Sequence, residues 1–284
     1  MDTDIPKNAE SAHCEPRLKI YFLPNLLTAA NLFCGFLALT KIVQADPSNP
    51  DFASEIRHAL LYILLACIFD LLDGRVARMG GYESPFGREF DSLADIISFG
   101  AAPGFLVHRV VLAGTFKDLP QIGWFIASIY LICGAFRLAR FNCLSVNAGS
   151  GGGKDFLGFP IPMAAGLVAS LTLLLLTVKG RALAESHWRY VLPGILVFLS
   201  LMMVSEVKYP SFKSLDWRAK RPFSKMIGIV LLIGFFLILW DKVLQYVLPF
   251  FFTAYLLYGF IRPRLSRRIR HEIEEEEDEP ELAD

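Results

Sequence analysis

Residues Asp70–Asp95 read DLLDGRVARMGGYESPFGREFDSLAD and carry four aspartates, Asp70, Asp73, Asp91 and Asp95, within a largely apolar chain. A carboxylate inside a bilayer is energetically costly, and acids retained there usually mark a functional site. This stretch therefore predicts a membrane-embedded site that needs several carboxylates together.

The composition of the chain excludes an ordinary soluble domain. Of its 284 residues, 54% are hydrophobic and 13% are aromatic, so most of the chain must lie in lipid. The five cysteines are scattered and odd in number, which predicts neither a disulfide framework nor a zinc site.

Apolar stretches of about 20 residues are needed to cross a bilayer as helices. Candidate spans that reach or approach this length lie at Tyr21–Val43, His58–Arg78, Phe90–Ala113, Ile122–Phe141, Ile161–Val178, Tyr190–Ser205, Met226–Trp240 and Tyr246–Ile261. The chain is therefore predicted to be all-α, a polytopic helical membrane protein with about eight transmembrane helices.

Lysine and arginine are concentrated in the connections on one side of the predicted bundle. Because basic residues gather in cytoplasmic loops, both termini are predicted to be cytoplasmic. The predicted organisation is a polar N-terminal segment over residues 1–19, a membrane domain over 20–213, an additional helix pair over 214–262 and a charged, disordered tail over 263–284.

The spacing of the aspartates places them on helix faces that can meet. Asp70 and Asp73 are three apart and Asp91 and Asp95 four apart, so each pair projects from one face in consecutive turns. Four converging carboxylates in a low-dielectric site would repel one another unless cations compensate them. Oxygen-only ligands favour Mg²⁺ or Mn²⁺ over zinc. Because paired metal ions are a known device for phosphoryl chemistry, we expect two such ions.

The residues between the aspartates suit a bound diphosphate. Gly74 and Gly87 remove side chains where a ligand could approach the backbone closely, and Ala77 keeps the intervening turn narrow. Arg78 adds a planar fork of donors that matches phosphate oxygens. Metal ions, glycine-lined backbone and one arginine together predict a site for a diphosphate.

Written as a pattern, Asp70–Asp95 is D-x2-D-G-x2-A-R-x8-G-x3-D-x3-D, which resembles the complete signature of the CDP-alcohol phosphotransferase family. The resemblance implies a homodimer with a six-helix membrane core that transfers a phosphatidyl group from a CDP-linked lipid to an alcohol and releases CMP. It also implies that Asp70, Asp73 and Asp91 bind metal and that Asp95 binds metal and acts as the base. The CDP-lipid site would be formed by Asn25, Thr28, Gly74, Ala77, Arg78, Ser84 and Gly87.

Further segments resemble the membrane-integral phosphatidylserine synthases within that family. They are SLADIISFGAAP (Ser92–Pro103), CGAFRLARFN (Cys133–Asn142), FLGFPIP (Phe156–Pro162) and LMMVSEVKYPSFK (Leu201–Lys213). This resemblance implies CDP-diacylglycerol and L-serine as substrates. We expect a bacterial inner-membrane protein whose active site faces the cytoplasm, as the distribution of basic residues indicates, and no nucleic-acid partner.

Arg137 and Arg140 are three apart on one helix face. Their guanidinium groups could bind the serine carboxylate or the lipid diphosphate. The alternative is that both arginines snorkel and simply mark the cytoplasmic boundary of the membrane.

Two other functions stay open at this point. A sibling enzyme could use glycerol 3-phosphate or inositol as the acceptor, and a phosphorylated acceptor would demand additional basic residues near the site. A cation transporter could use the four aspartates as its ion site. A transporter would not account for Gly74, Ala77, Arg78 and Gly87.

Overall fold

The computed structural model describes residues 21–147, 155–178, 190–210 and 246–258, and these ranges are almost entirely helical. The elements are, in order, α1 (Phe22–Gln44), α2 (Phe52–Gly80), α3 (Pro85–Thr115), α4 (Pro120–Asn147), β1 (Asp155–Leu157), α5 (Ile161–Val178), α6 (Val191–Val204), β2 (Lys208–Pro210) and α7 (Tyr246–Tyr258). The two short strands pair antiparallel. Helices α1, α3 and α4 are each long and apolar enough to cross a membrane.

The prediction of an all-α, polytopic membrane protein is confirmed. Each predicted span within the described residues coincides with one of the helices α1 to α7. The second begins at Phe52 rather than His58, and the third begins at Pro85 rather than Phe90. The predicted span Met226–Trp240, the segment 1–19, the boundary between 213 and 214 and the tail 263–284 lie outside the described residues.

Helices α1 and α2 form an antiparallel pair. At one end Lys41 Nζ lies 3.0 Å from Glu55 Oε2, and at the other Thr28 bonds to Asp73. Apolar side chains of both helices are buried between these two contacts. Because both helices are fixed at each end, Thr28 of α1 lies directly against Asp73 of α2.

Helix α3 packs closely on α1 at Gly35. A β-carbon at this position would collide with the Ser98 side chain of α3, so only glycine allows this approach. Ser98 Oγ then donates to the Asn31 carbonyl oxygen over 3.0 Å. Close contacts of this kind, between small residues, are typical of helix packing in membranes.

A short turn brings the second aspartate pair beside the first. Gly81 ends α2 in the left-handed region, with φ 64°, a conformation that glycine adopts readily. Ser84 then caps α3, because its Oγ accepts a hydrogen bond from the Gly87 amide over 3.0 Å, and Pro85 occupies the first helical turn. The acids of α2 and α3 therefore face each other across one tight turn.

Helix α4 lies antiparallel against α3. Tyr130 donates its hydroxyl to the Phe99 carbonyl oxygen over 3.1 Å, and Asn142 Nδ2 donates to Ser92 Oγ over 3.0 Å. Between these two contacts α3 changes to π-helical turns over Ile96–Ala101, directly after Asp95. Such turns often occur at functional sites.

The segment between β1 and α5 is fixed to the end of α6 by backbone hydrogen bonds. The amide of Gly158 donates to the Val207 carbonyl oxygen over 2.9 Å, and that of Phe159 donates to Met202 over 3.0 Å. Helix α7 covers this side of the bundle, where the Phe252 ring lies against Gly166 of α5. These contacts hold Phe159 beside α6, and they place Gly158 against the Arg140 side chain of α4.

Candidate active site

Three of the four predicted aspartates converge. One carboxylate oxygen from each of Asp70, Asp91 and Asp95 lies within 4.8 Å of the other two, and we call these three residues the acid cluster. Asp95 is buried and the other two are half-buried. The two helices that carry the paired aspartates therefore meet as their spacing predicts.

Asp73 has a different partner. Its Oδ2 accepts a hydrogen bond of 2.7 Å from Thr28 Oγ1 of α1, and both side chains are buried. The Thr28 hydroxyl therefore touches a carboxylate directly. This contact orients Asp73 on the face of α2 that carries Asp70, one turn away.

Asn31 is a site residue that the sequence reasoning missed. Its Nδ2 donates to Asp95 Oδ1 over 3.2 Å, and the side chain is fully buried. Thr28 and Asn31 are three apart in an apolar span, so they share one helix face. That pair of polar residues was the signal that could have identified Asn31.

The acid cluster can bind a metal ion. Its donors are all carboxylate oxygens, as hard divalent cations prefer. Asp91 Oδ1 is buried and has no hydrogen-bond partner among the described residues. A buried charged oxygen without a partner is costly. A cation between the three carboxylates would remove that cost and their mutual repulsion.

A second set of predicted residues meets where α1 and α3 begin. A β-carbon on Gly87 would lie 3.2 Å from Ser84 Oγ and 3.3 Å from Asn25 Oδ1. The Nδ2 of Asn25 is buried without a hydrogen-bond partner in the described part of the chain. The structure therefore brings Asn25, Ser84 and Gly87 together around an unused donor.

The residues that follow Asp73 lie in the last turns of α2. The exposed Arg78 side chain runs back along the helix towards Gly74. A β-carbon on Gly74 would lie 3.4 Å from one of the terminal guanidinium nitrogens of Arg78. The carbonyl of Ala77 accepts the Tyr82 amide over 2.8 Å and helps to close the helix end. The predicted diphosphate ligand Arg78 is thus at the open edge of the site, one turn from Gly74.

The two arginines of α4 have different surroundings. Arg137 is buried and its guanidinium is within electrostatic range of Asp95 and Asp70. Arg140 donates to carbonyl oxygens at the end of α6, over 2.8 Å to Val204 and 3.1 Å to Ser205. A cation in that position satisfies the last carbonyls of a helix. Arg137 therefore lies within range of the acid cluster, and Arg140 is bonded to the end of α6.

Comparison with known proteins identifies the family. A family model described as CDP-alcohol phosphatidyltransferase matches residues 21–204. The chain belongs to this family. The resemblance predicted from the Asp70–Asp95 pattern is therefore confirmed, and the acid cluster lies inside the matched region.

Several curated relatives of this chain have names that refer to serine. A CDP-diacylglycerol–serine O-phosphatidyltransferase of Helicobacter pylori is 34% identical over 245 residues, which cover 86% of this chain and 91% of the relative. The enzyme of the same name from Bacillus subtilis is 33% identical over 192 residues, covering 68% and 92%. An archaetidylserine synthase of Methanothermobacter thermautotrophicus is 34% identical over 190 residues, covering 66% and 69%.

Proposed function

We propose that this membrane enzyme transfers the phosphatidyl group of CDP-diacylglycerol to the hydroxyl group of L-serine and releases CMP. The observation that carries the proposal is the acid cluster with buried Arg137 beside it. The carboxylates suit metal-assisted phosphoryl chemistry, and the guanidinium suits an acceptor that carries a carboxylate. The names of the curated relatives support serine as that acceptor.

We assign metal binding to Asp70, Asp73, Asp91 and Asp95. They would hold two ions. Mg²⁺ or Mn²⁺ suits the site because every donor is a carboxylate oxygen. The bound cations would neutralise charge on the diphosphate and on the leaving CMP. Asp73 would join the acid cluster from the adjacent turn, held in its orientation by Thr28.

Asp95 is the proposed general base. It is buried, and the hydrogen bond from Asn31 holds its carboxylate in one orientation, as a positioned base requires. Asp95 would take the proton of the serine hydroxyl as that oxygen attacks the phosphorus nearest the diacylglycerol. The bond from this phosphorus to the bridging diphosphate oxygen then breaks, and CMP leaves with the electron pair.

The CDP part of the lipid is assigned to the residues at the beginning of α1, the end of α2 and the beginning of α3. The unpartnered Nδ2 of Asn25 can donate to the nucleotide, and Arg78 at the open edge can bind a phosphate. The full proposed set is Asn25, Thr28, Gly74, Ala77, Arg78, Ser84 and Gly87.

Arg137 is the proposed ligand of the serine carboxylate. The predicted binding of serine or phosphate by Arg140 stays a prediction, because its guanidinium already donates to α6 carbonyls. These contacts favour a role for Arg140 in holding α6 beside α4.

We further propose a homodimer in a bacterial inner membrane, with the active site and both termini on the cytoplasmic side. The distribution of lysine and arginine supports the orientation. A cytoplasmic site would also give water-soluble serine direct access. Cross-linking in native vesicles and protease protection of tags at each terminus test these two points.

The deciding experiment uses the purified full chain in mixed micelles with CDP-diacylglycerol and Mg²⁺ or Mn²⁺. CMP and a new aminophospholipid are expected only when L-serine and the metal are both present. The alternative acceptors glycerol 3-phosphate and inositol are tested in parallel, and turnover with either one in preference to serine overturns the acceptor assignment. Metal flux into vesicles without CMP release would support the transporter alternative instead.

A further inference from the structure

Three aromatic rings from distant parts of the chain meet beside α4. They are Phe159 before α5, Tyr209 of β2 and Tyr255 of α7, and we call them the acceptor wall. Ring centroids lie 5.2 Å apart for Phe159 and Tyr209 and 5.9 Å for Tyr209 and Tyr255. All three side chains are buried. Tyr209 and Tyr255 lie beyond residue 204, where the family match ends.

Two buried polar atoms in this region lack partners. Arg137 Nε and the Tyr209 hydroxyl make no hydrogen bond to any described residue, although Arg137 is only 7% exposed and Tyr209 is 0% exposed. Leaving such groups unpaired costs free energy. Two unpaired donors in one region therefore point to a ligand that accepts hydrogen bonds.

Tyr255 connects the two unpartnered groups. Its ring contacts Tyr209, and it is within electrostatic range of Arg137. Arg137 in turn is within electrostatic range of Asp95 and Asp70. Tyr255 therefore joins the acceptor wall, through its contact with Tyr209, to Arg137, which lies within range of the acid cluster.

We propose that Tyr209 determines acceptor specificity, its hydroxyl donating jointly with Arg137 Nε to the carboxylate of the amino-acid acceptor. This inference rests on the proposed function. Both groups are donors, so they suit an anionic oxygen. Burial raises the pKa of Tyr209 to about 12, so its hydroxyl keeps the proton that it donates at neutral pH. The adjacent rings exclude water and strengthen the contact.

The test compares Tyr209→Phe with the wild-type enzyme. Phenylalanine keeps the ring in the acceptor wall and removes only the hydroxyl. Because a hydrogen bond to a charged group is lost, KM for L-serine is expected to rise roughly 10- to 100-fold, while KM for CDP-diacylglycerol is unchanged. Ethanolamine, which lacks the carboxylate, is assayed as a second acceptor, and the preference for serine over ethanolamine is expected to fall by the same factor.

Tyr258→Phe is the matched control, because Tyr258 is exposed on the same helix as Tyr255. The KM values of this control are expected to stay within about two-fold of wild type.

An unchanged serine KM in Tyr209→Phe overturns the proposal. A rise in KM for CDP-diacylglycerol alone also overturns it, because that result would assign the two donors to the lipid phosphates. Wild-type protein that prefers another acceptor overturns the proposed function itself. If Tyr209→Phe also unfolds at a lower temperature than wild type, the two acceptors decide: a packing defect raises KM for serine and for ethanolamine alike, whereas loss of the carboxylate contact raises KM for serine alone, and an equal rise for both overturns the proposal.

Discussion

The acid cluster and the acceptor wall are built in opposite ways. Around the acid cluster, polar side chains of α1 bond to carboxylates of α2 and α3, and every element involved lies within a continuous part of the chain. The acceptor wall takes single rings from three separated segments. Under the proposed function, the phosphoryl chemistry uses side chains of consecutive helices, whereas acceptor choice uses side chains that later segments of the chain bring together.

The largest expected effect comes from the acid cluster. Asp95→Asn keeps the shape and the contact with Asn31 but removes the proton acceptor, so CMP release is expected to fall roughly 10²- to 10⁴-fold. Binding of CDP-diacylglycerol, measured by equilibrium titration, should be largely retained. Asp46→Asn, at an exposed position, serves as the control. Serine-dependent CMP release at the wild-type rate in Asp95→Asn would sink the assignment of the base.

The next effect comes from the acceptor side. Arg137→Gln is expected to lower kcat/KM for serine roughly 10- to 100-fold, because a charge-assisted hydrogen bond is lost. KM for CDP-diacylglycerol should change little. Arg140→Gln, one turn away, should mainly lower the unfolding temperature, since Arg140 holds the end of α6. Equal losses for both substrates in Arg137→Gln would contradict the separation of the two regions.

A smaller effect is expected from positioning. Asn31→Leu has a similar volume but cannot donate to Asp95, so kcat is expected to fall roughly ten-fold with serine KM unchanged. Thr40→Val on the same helix is the control, because the Thr40 hydroxyl donates to the Phe36 carbonyl oxygen within α1. A change in KM without a change in kcat would mean that Asn31 touches substrate rather than orienting Asp95.

The smallest effect is on stability. Ser84→Ala removes the cap of α3 and is expected to lower the free energy of unfolding by about 1 kcal/mol, measured as a shift of the melting temperature in detergent. Ser84→Asn should restore most of it, because asparagine also caps helices. If Ser84→Asn regains stability but not activity, Ser84 has a role in the nucleotide site besides capping.

Much of the fold followed from local pattern. Helices that cross lipid must be long, apolar and internally hydrogen-bonded, so their positions could be predicted along the described chain. The meeting of Asp70 with Asp91 and Asp95 could also be predicted, because helical spacing sets which side chains share a face. The predicted start of α3, Phe90, was five residues too late. The polar first turn is helical because Ser84 caps it and Pro85 occupies its first position.

The amino-acid sequence by itself determined the membrane class, the family and the carboxylates that can hold metal, because hydropathy and short-range spacing are properties of neighbouring residues. Only the tertiary structure decided that Asn31 holds Asp95, that Arg137 and Arg140 have different partners, and that Tyr255 contacts Tyr209 and lies within range of Arg137. These contacts join residues far apart in the chain. Spacing shows which side chains share a helix face, as it does for Thr28 and Asn31, but it does not show which partner they meet, because the partner depends on how the helices pack.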